Sequence, residues 1–523
     1  MLPFRERNVV RKDWRRVDLK IAFCYPNVYR AGMSGLTVQL LYALLNLRED
    51  VVCERFFLPS GEGFKPLLSV ESNQPLKKFD VIAFTFQYEE DYVNALKMLL
   101  SSGIEVWRKK RKTKPLLVAG GPCILENPAP LKGFFDLFVV GEVEAVLDDF
   151  VDRLKIAVEN GNIDVFEGRD GYLTYNSEKA RRVYVKNLDE APHPIAQIVP
   201  EGEVKPSYMP VFGKTFLVEV VRGCPRRCRF CLISHVSNPL RERSLKKLEE
   251  IIVEGVKYTG VSKVTLIGAG IAYYPKLEDL CEFIVSQSLQ VSVSSLSAEL
   301  TTEKLVKCLV KGGEKTLTIA PETGCERLRT LIGKPVSDRR FIEASKTALN
   351  CGIKNLKLYF MVGLPNEKKE DLDGIVRLSK EIGRLGFGKK SVRLSVNPLI
   401  PKPHTPLQFY RIRSLEYLEE AYRKIRDGLR GDVRFRVETL NPKHAHIQAA
   451  LSIGGEDLGK IVFKVALYGG GLGAWRKALK EEGKTLENFL NPPKPGEKPV
   501  WSMVDVGLNE KLLAEEYSRI LEG

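Results

Sequence analysis

Short apolar runs recur along this chain with helix-length amphipathic stretches between them, and they come in two series. That alternation constrains the fold most strongly, because strand, helix, strand in succession builds parallel sheet covered by helices. The first series occupies residues 19–154: LKIAFCYP, VVCERFFL, VIAFTF, PLLVAGGP and LFVVGE. Five strands separated by helices predict an open, doubly wound sheet, whose ligands bind at the carboxyl ends of the strands. The loops there hold residues 26–32, 85–88, 120–122 and 141–142, and their paired glycines allow backbone to approach a ligand or simply to turn. The second series is TFLVEVV, KVTLIGAG, LQVSVSSL, KTLTIAPE, KNLKLYFMVG and SVRLSVNP. Six such units predict a partial (βα)6 barrel, short of the eight that close one. The expected division is α/β throughout: a doubly wound, Rossmann-like domain at 1–160, a linker at 161–210, the barrel at 211–410, and a small mixed, mostly helical C-terminal domain at 411–523.

The first barrel strand runs into RGCPRRCRFC, which packs Cys224, Cys228 and Cys231 into eight residues, with Phe230 just before the last. A structural zinc site wants four ligands, commonly as two close pairs, and His235 alone is a poor fourth. Three thiolates on an iron–sulfur cube leave one iron open to another ligand. Barrel chemistry collects at the carboxyl ends of the strands, which brings in Gly268, Gly270, Ser294, Ser295, Glu322, Thr323, Glu367 and Asn397. Each is equally at home in ordinary loop chemistry, glycines as turns and Glu322 as a helix N-terminal acid.

A net charge of +15 and a pI near 9.2 favour a polyanionic partner such as RNA. The charge concentrates in the N-terminal arm (Arg5, Arg7, Arg11, Lys12, Arg15, Arg16) and in 108–114 and 411–436. A densely charged, solvated surface of the heat-adapted kind accounts for it equally well. No apolar run is long enough to span a bilayer and the first residues are charged, so no membrane and a cytoplasmic location are expected. Ten cysteines are too few for a disulfide scaffold in a chain of this length. Cys24, Cys53 and Cys123 read as buried thiols or as ligands of an auxiliary cluster, and Cys281, Cys308, Cys325 and Cys351 as small core residues. His444 and His446, two apart, read as surface residues on one strand face.

The CxxxCxxC spacing, with its aromatic before the last cysteine, resembles the signature of the radical S-adenosylmethionine (SAM) superfamily. Nearly the whole chain resembles a branch that joins a cobalamin-binding-like domain to a radical SAM barrel. The segments that carry this are KIAFCYPNVYRAGMSGL, FTFQYE, VAGGPC and VVGEVEAVL, then VEVVRGCPRRCRFC, TIAPETGCERLR, LKLYFMVGLPNEKKEDLDGI and VNPLIPKPHTPLQF.

The resemblance implies a [4Fe-4S] cluster on Cys224, Cys228 and Cys231 beside Phe230, with SAM on the open iron. It places the backbone of Gly268 and Gly270 at the SAM amino group, where this chain reads Gly-Ala-Gly and relatives carry Gly-Gly-Glu, and Ser294 and Glu322 at the ribose or carboxylate. It implies cobalamin at Tyr29, Thr85, Gly120, Gly121 and Gly141. Tyr29 stands where many cobalamin domains carry a cobalt-ligating histidine. The implied activity is cobalamin-dependent methyl transfer to an unactivated carbon of RNA or a protein side chain, fed by an electron donor such as ferredoxin or flavodoxin. Methylthiolation, oxidation or rearrangement on the same barrel, and a cluster-bearing RNA-binding or sensor protein, are the alternatives.

Overall fold

Every apolar run named above is a strand in the computed structural model, which describes residues 2–59, 67–111 and 114–522. In the first half β1 (Leu19–Tyr25), β2 (Val51–Phe57), β3 (Val81–Thr85), β4 (Leu116–Gly120) and β5 (Leu137–Val139) pair in the order β2-β1-β3-β4-β5, all parallel. The order reverses between β1 and β3, and a crevice opens at such a switch point. Ile21 and Phe23 face one covering layer while Ala22 and Cys24 face the other. Burial on both faces explains why these strands read as unbroken apolar runs.

A sixth strand, β6 (Tyr172–Thr174), adds antiparallel to β5. It comes from the stretch expected to be linker, so the doubly wound domain does not end at residue 160. Three residues are too few to show a period.

The barrel has two ladders. β7 (Phe216–Glu219), β8 (Lys263–Ile267) and β9 (Gln290–Val293) make the first; β10 (Thr316–Glu322), β11 (Asn355–Val362), β12 (Val392–Pro398) and β13 (Phe435–Thr439) make the second. The Leu296 amide donates to the Thr318 carbonyl at 3.0 Å across the gap between them. β13 carries the barrel past residue 410, correcting the expected boundary; its sequence FRVET has charges where a barrel strand usually shows apolar residues.

The expected C-terminal domain has no core of its own. Helices Pro442–Ile453, Leu458–Leu467 and Gly471–Glu481 share one core with Phe84, Leu96 and Phe135 of the doubly wound domain. His446 is buried in the first of them, on a helix rather than a strand, with Nε2 2.8 Å from the Arg413 carbonyl oxygen. Helix Glu510–Glu522 crosses the carboxyl rim of the barrel, where Ile520 packs with Leu331, Ile332, Leu364 and Leu407. Among the described residues, no helix is long and apolar enough to cross a membrane.

Candidate active site

The cysteine loop leaves the end of the first barrel strand and is tied down at several points. The Arg229 amide donates to the Ile332 carbonyl at 2.9 Å, and Arg229 Nη1 donates to the Leu331 carbonyl at 2.7 Å. The Ser234 hydroxyl donates to the Cys231 carbonyl at 2.9 Å. Phe230 packs into the apolar cluster that also receives Ile520 from the helix across the rim. Every one of these tethers uses backbone or a neighbouring side chain, which leaves the three sulfurs uncommitted.

Cys228 is buried while Cys224 and Cys231 are half-buried. Burial pushes the Cys228 thiol up to about 12 and raises Cys224 as well, with the Lys334 ammonium pulling both the other way. Free thiols here therefore hold their protons, and a bound metal must displace them. Among the described residues, the one trio of His, Cys, Asp or Glu with ligand atoms within 4.8 Å of one another is Glu89, Cys123 and Glu126. Cys224, Cys228 and Cys231 are not such a trio, so at least two of their sulfurs stand further apart than the about 4 Å that Zn–S bonds of about 2.3 Å impose on tetrahedral sulfurs. A multi-iron cube suits the wider spread.

The end of β8 presses against this loop. A side-chain carbon on Gly270 would lie 2.9 Å from the Gly223 carbonyl oxygen and 3.2 Å from Cys224 Cα; one on Gly268 would lie 2.7 Å from the Val221 carbonyl oxygen. Gly270→Ala is therefore expected to push the cysteine loop out of place at a cost of about 1–3 kcal/mol. Iron retained per chain after anaerobic reconstitution should fall while far-ultraviolet circular dichroism stays unchanged; full iron retention would contradict this account.

Glu322 ends β10 with φ at 66°, a conformation uncommon for a residue with a side chain. Lys334 Nζ donates to Glu322 Oε1 at 2.8 Å. Beneath them the fully buried Arg329 donates to the carbonyls of Thr323, at 2.7 Å, and Val336, at 2.6 Å. A strained residue held this firmly at a barrel mouth is a candidate for a functional position. Sequence reading missed Lys334, because it follows a short helix rather than a strand.

Ser294 and Ser295 lie exposed at the end of β9. Asn397 and Glu367 brace loops. Asn397 Oδ1 accepts from the Leu440 amide at 3.3 Å, and Glu367 Oε2 accepts from the Gly363 amide at 2.6 Å and the Tyr417 hydroxyl at 2.7 Å. Burial pushes the Glu367 carboxyl up to about 7.

A cleft of about 290 Å³, partly open to solvent, runs over one face of the doubly wound sheet between helices Leu36–Leu47 and Leu147–Asn160. Phe23, Leu40, Ala83 and Phe150 form its apolar walls, and Thr85, Gly120, Gly121 and Gly141 line it too. At one end it reaches Glu219, Ser237 and Arg222, the last of which stands two residues before Cys224. Arg222 Nη1 donates to Glu142 and Glu144 at 2.6 Å each, and Nη2 donates to Glu219 at 2.8 Å. This ties the cleft rim to the strand that enters the cysteine loop.

Two of the glycines serve their own chain. A side-chain carbon on Gly121 would lie 2.6 Å from the Phe86 carbonyl oxygen, and one on Gly141 only 2.0 Å from that of Val183. Tyr29 is not among the lining residues: it is buried between Phe4 and Phe57, and its hydroxyl donates to Glu6 Oε1 at 2.6 Å. The short helix starting at Tyr29 turns this ring into the core.

Cys24 and Cys123 face one core and Cys53 the opposite one, so these three cannot meet around an auxiliary cluster. Several members of the basic runs are ion-paired within the chain, while others such as Arg5, Arg11, Lys109 and Lys110 have no ion pair among the described residues. Arg108 and Arg111 engage Asp136, Lys114 engages Asp80, Arg7 engages Glu201 and Arg411 engages Glu487; Lys112 and Thr113 lie outside the described residues.

Residues 37–185 match the family of radical SAM proteins' N-terminal regions, and residues 218–379 match the radical SAM superfamily. An uncharacterised protein of Methanocaldococcus jannaschii is 36% identical over 450 residues, 84% of this chain and 90% of that one. An uncharacterised methyltransferase of Pyrococcus horikoshii is 27% identical over 59% of this chain and 65% of its own. The ribosomal protein uS12 methylthiotransferase RimO of Thermodesulfovibrio yellowstonii is 25% identical over 40% of this chain and 50% of its own. Among solved structures, the radical SAM methyltransferase TsrM of Kitasatospora setae, with cobalamin and a [4Fe-4S] cluster bound, shares the fold. Its TM-score is 0.52 at 13% identity, over 89% of this chain and all of that one. With three cysteines at the first strand end of a partial barrel and a doubly wound domain before it, the chain belongs to the radical SAM superfamily.

Proposed function

We propose that the protein is a cobalamin-dependent radical SAM methyltransferase that acts on an unactivated carbon of a macromolecule, RNA or a protein side chain. The observation that carries the proposal is the apolar cleft that runs from the switch-point sheet to Arg222, beside the cysteine loop. One active centre can then draw on both halves. The methyltransferase name of the Pyrococcus horikoshii relative and the cobalamin in TsrM point the same way. The lining combines apolar walls with Thr85, Gln87 and Arg182, which would suit a corrin ring edged with amides, and it includes no histidine to ligate cobalt from below.

Cys224, Cys228 and Cys231 would hold the cluster, and Thr85, Gly120 and Gly121 would edge the cobalamin. When bound, the cluster supplies the electron that cleaves SAM and cobalamin carries the methyl group to the substrate. The chain's own residues position and exclude water. Gly268 and Gly270 let backbone close on the cysteine loop, Lys334 neutralises Glu322 at the mouth, and Arg222 locks the cleft rim to the loop. An electron donor of the ferredoxin or flavodoxin kind belongs to the same proposal.

Methylthiolation is the second reading, favoured by the RimO relative. It would want an auxiliary cluster, and Cys24, Cys53 and Cys123 lie on opposite sheet faces. The discriminating experiment supplies reductant and methyl-labelled SAM to protein reconstituted with and without hydroxocobalamin. S-adenosylhomocysteine should accumulate only with cobalamin, alongside deoxyadenosine. Its formation without cobalamin would overturn the proposal in favour of methyl transfer to sulfur.

A further inference from the structure

The lumen of the second barrel ladder carries a row of like charges that neither the cysteine loop nor the cleft uses. Alternation along β11, β12 and β13 sends Leu358, Leu394 and Val437 outward against the helices, and Lys357, Arg393 and Arg436 to the opposite, inward face. The pairing register sets Lys357 beside Arg393 and Arg393 beside Arg436. Three cations on neighbouring strands thus stand in line, with strands about 5 Å apart.

Like charges directly opposite one another weaken a sheet. Little in the fold relieves them. Glu438 lies 3.0 Å from Arg436 and 3.7 Å from Arg393, while Lys357 sits over the Tyr359 ring, 4.7 Å from its centroid. Three cations against one carboxylate leave two positive charges uncompensated. Arg393 and Arg436 are 47% and 60% exposed, so the row is open to a ligand. Tyr359, Ser395 and Glu438 form the next layer up, and Met361 and Asn397 the layer above that. Four residues of strand put the row about 13 Å below the rim.

We infer that this row seats a phosphate group of the substrate. A phosphomonoester dianion matches the two uncompensated charges, and two guanidiniums offer the forked N–H donors that phosphate oxygens accept. The inference rests on the barrel mouth being the reaction site. A substrate anchored at Lys357, Arg393 and Arg436 would reach up the lumen past Tyr359 and Ser395 to present its carbon beside the cysteine loop.

The test is calorimetric titration of the anaerobically purified full chain with inorganic phosphate at low ionic strength, with acetate as control. Phosphate should bind one site in preference to acetate. Arg393→Gln and Arg436→Gln should each weaken it at least about ten-fold, close to 1.4 kcal/mol. The thermal midpoint of each variant should be unchanged or higher, since repulsion is relieved. Binding that survives both substitutions, or that acetate matches, overturns the inference. Competition then names the source: displacement by a nucleoside monophosphate, or by RNA bearing a terminal 5′-phosphate but not by the same RNA without it, supports the seat, whereas equal displacement by RNA lacking a terminal phosphate overturns it. If the unsubstituted protein cleaves SAM but binds no phosphate, this inference alone falls. If it binds phosphate without cleaving SAM, the reading of the mouth falls instead.

Discussion

Cys228→Ala protein, reconstituted anaerobically, should form no deoxyadenosine above background while remaining folded. The loop is held by Arg229 on Leu331 and Ile332 and by Ser234 on Cys231, and none of these bonds uses the Cys228 sulfur. Deleting one buried sulfur costs about 1 kcal/mol, a small part of the stability of a chain this size. A cube left with two thiolates on this loop has lost a ligand that no nearby residue replaces. Iron and sulfide content and deoxyadenosine yield, measured beside the thermal midpoint, check this. Activity persisting in a folded variant would refute the assignment of the site.

Lys402→Met should be the most destabilising single substitution at the junction of the two halves. Lys402 enters from the segment after the sixth barrel strand and donates to Glu89 and Glu126 of the doubly wound domain, at 3.2 Å to Glu126 Oε1. Gln448 and Ser452, from helix Pro442–Ile453, donate to the same two carboxylates. Burial pushes the Glu126 carboxyl up to about 8 and the Lys402 ammonium down to about 7, so this dry site disfavours charge on either group.

Without the ammonium, Glu89 and Glu126 share a dry site with carboxylate oxygens within 4.8 Å of each other. Breaking a buried pair from one side costs about 3–5 kcal/mol, whereas replacing all its members by neutral groups is often close to neutral. Denaturant unfolding should show that loss for Lys402→Met and its recovery when Glu89→Gln and Glu126→Gln are added. A single variant within about 1 kcal/mol of the parent would contradict the account.

Much of this was legible in the sequence because buried parallel strands must be apolar on both faces. All the runs from LKIAFCYP to SVRLSVNP are strands, and the cysteine spacing located the loop. Residues whose roles depend on tertiary partners were not legible. β13 was hidden because its inward face carries Arg436 and Glu438, and β6 because it is three residues long. Tyr29 was expected at a cobalamin site, yet its packing between Phe4 and Phe57 depends on residues far apart in sequence. Lys334 and Lys402 look like ordinary surface lysines until the fold supplies Glu322, Glu89 and Glu126. The helices after residue 441 read as a separate domain because composition cannot show that their apolar faces complete a core begun at Phe84.

The central claim is that one active centre uses both the cysteine loop and the apolar cleft. Its most direct test is anaerobic reconstitution with iron, sulfide and hydroxocobalamin, followed by desalting, metal analysis and ultraviolet–visible spectra. The account predicts iron at the level of one four-iron cluster and cobalt retained close to one per chain. Iron without cobalt would leave the superfamily chemistry standing and contradict the role given to the cleft.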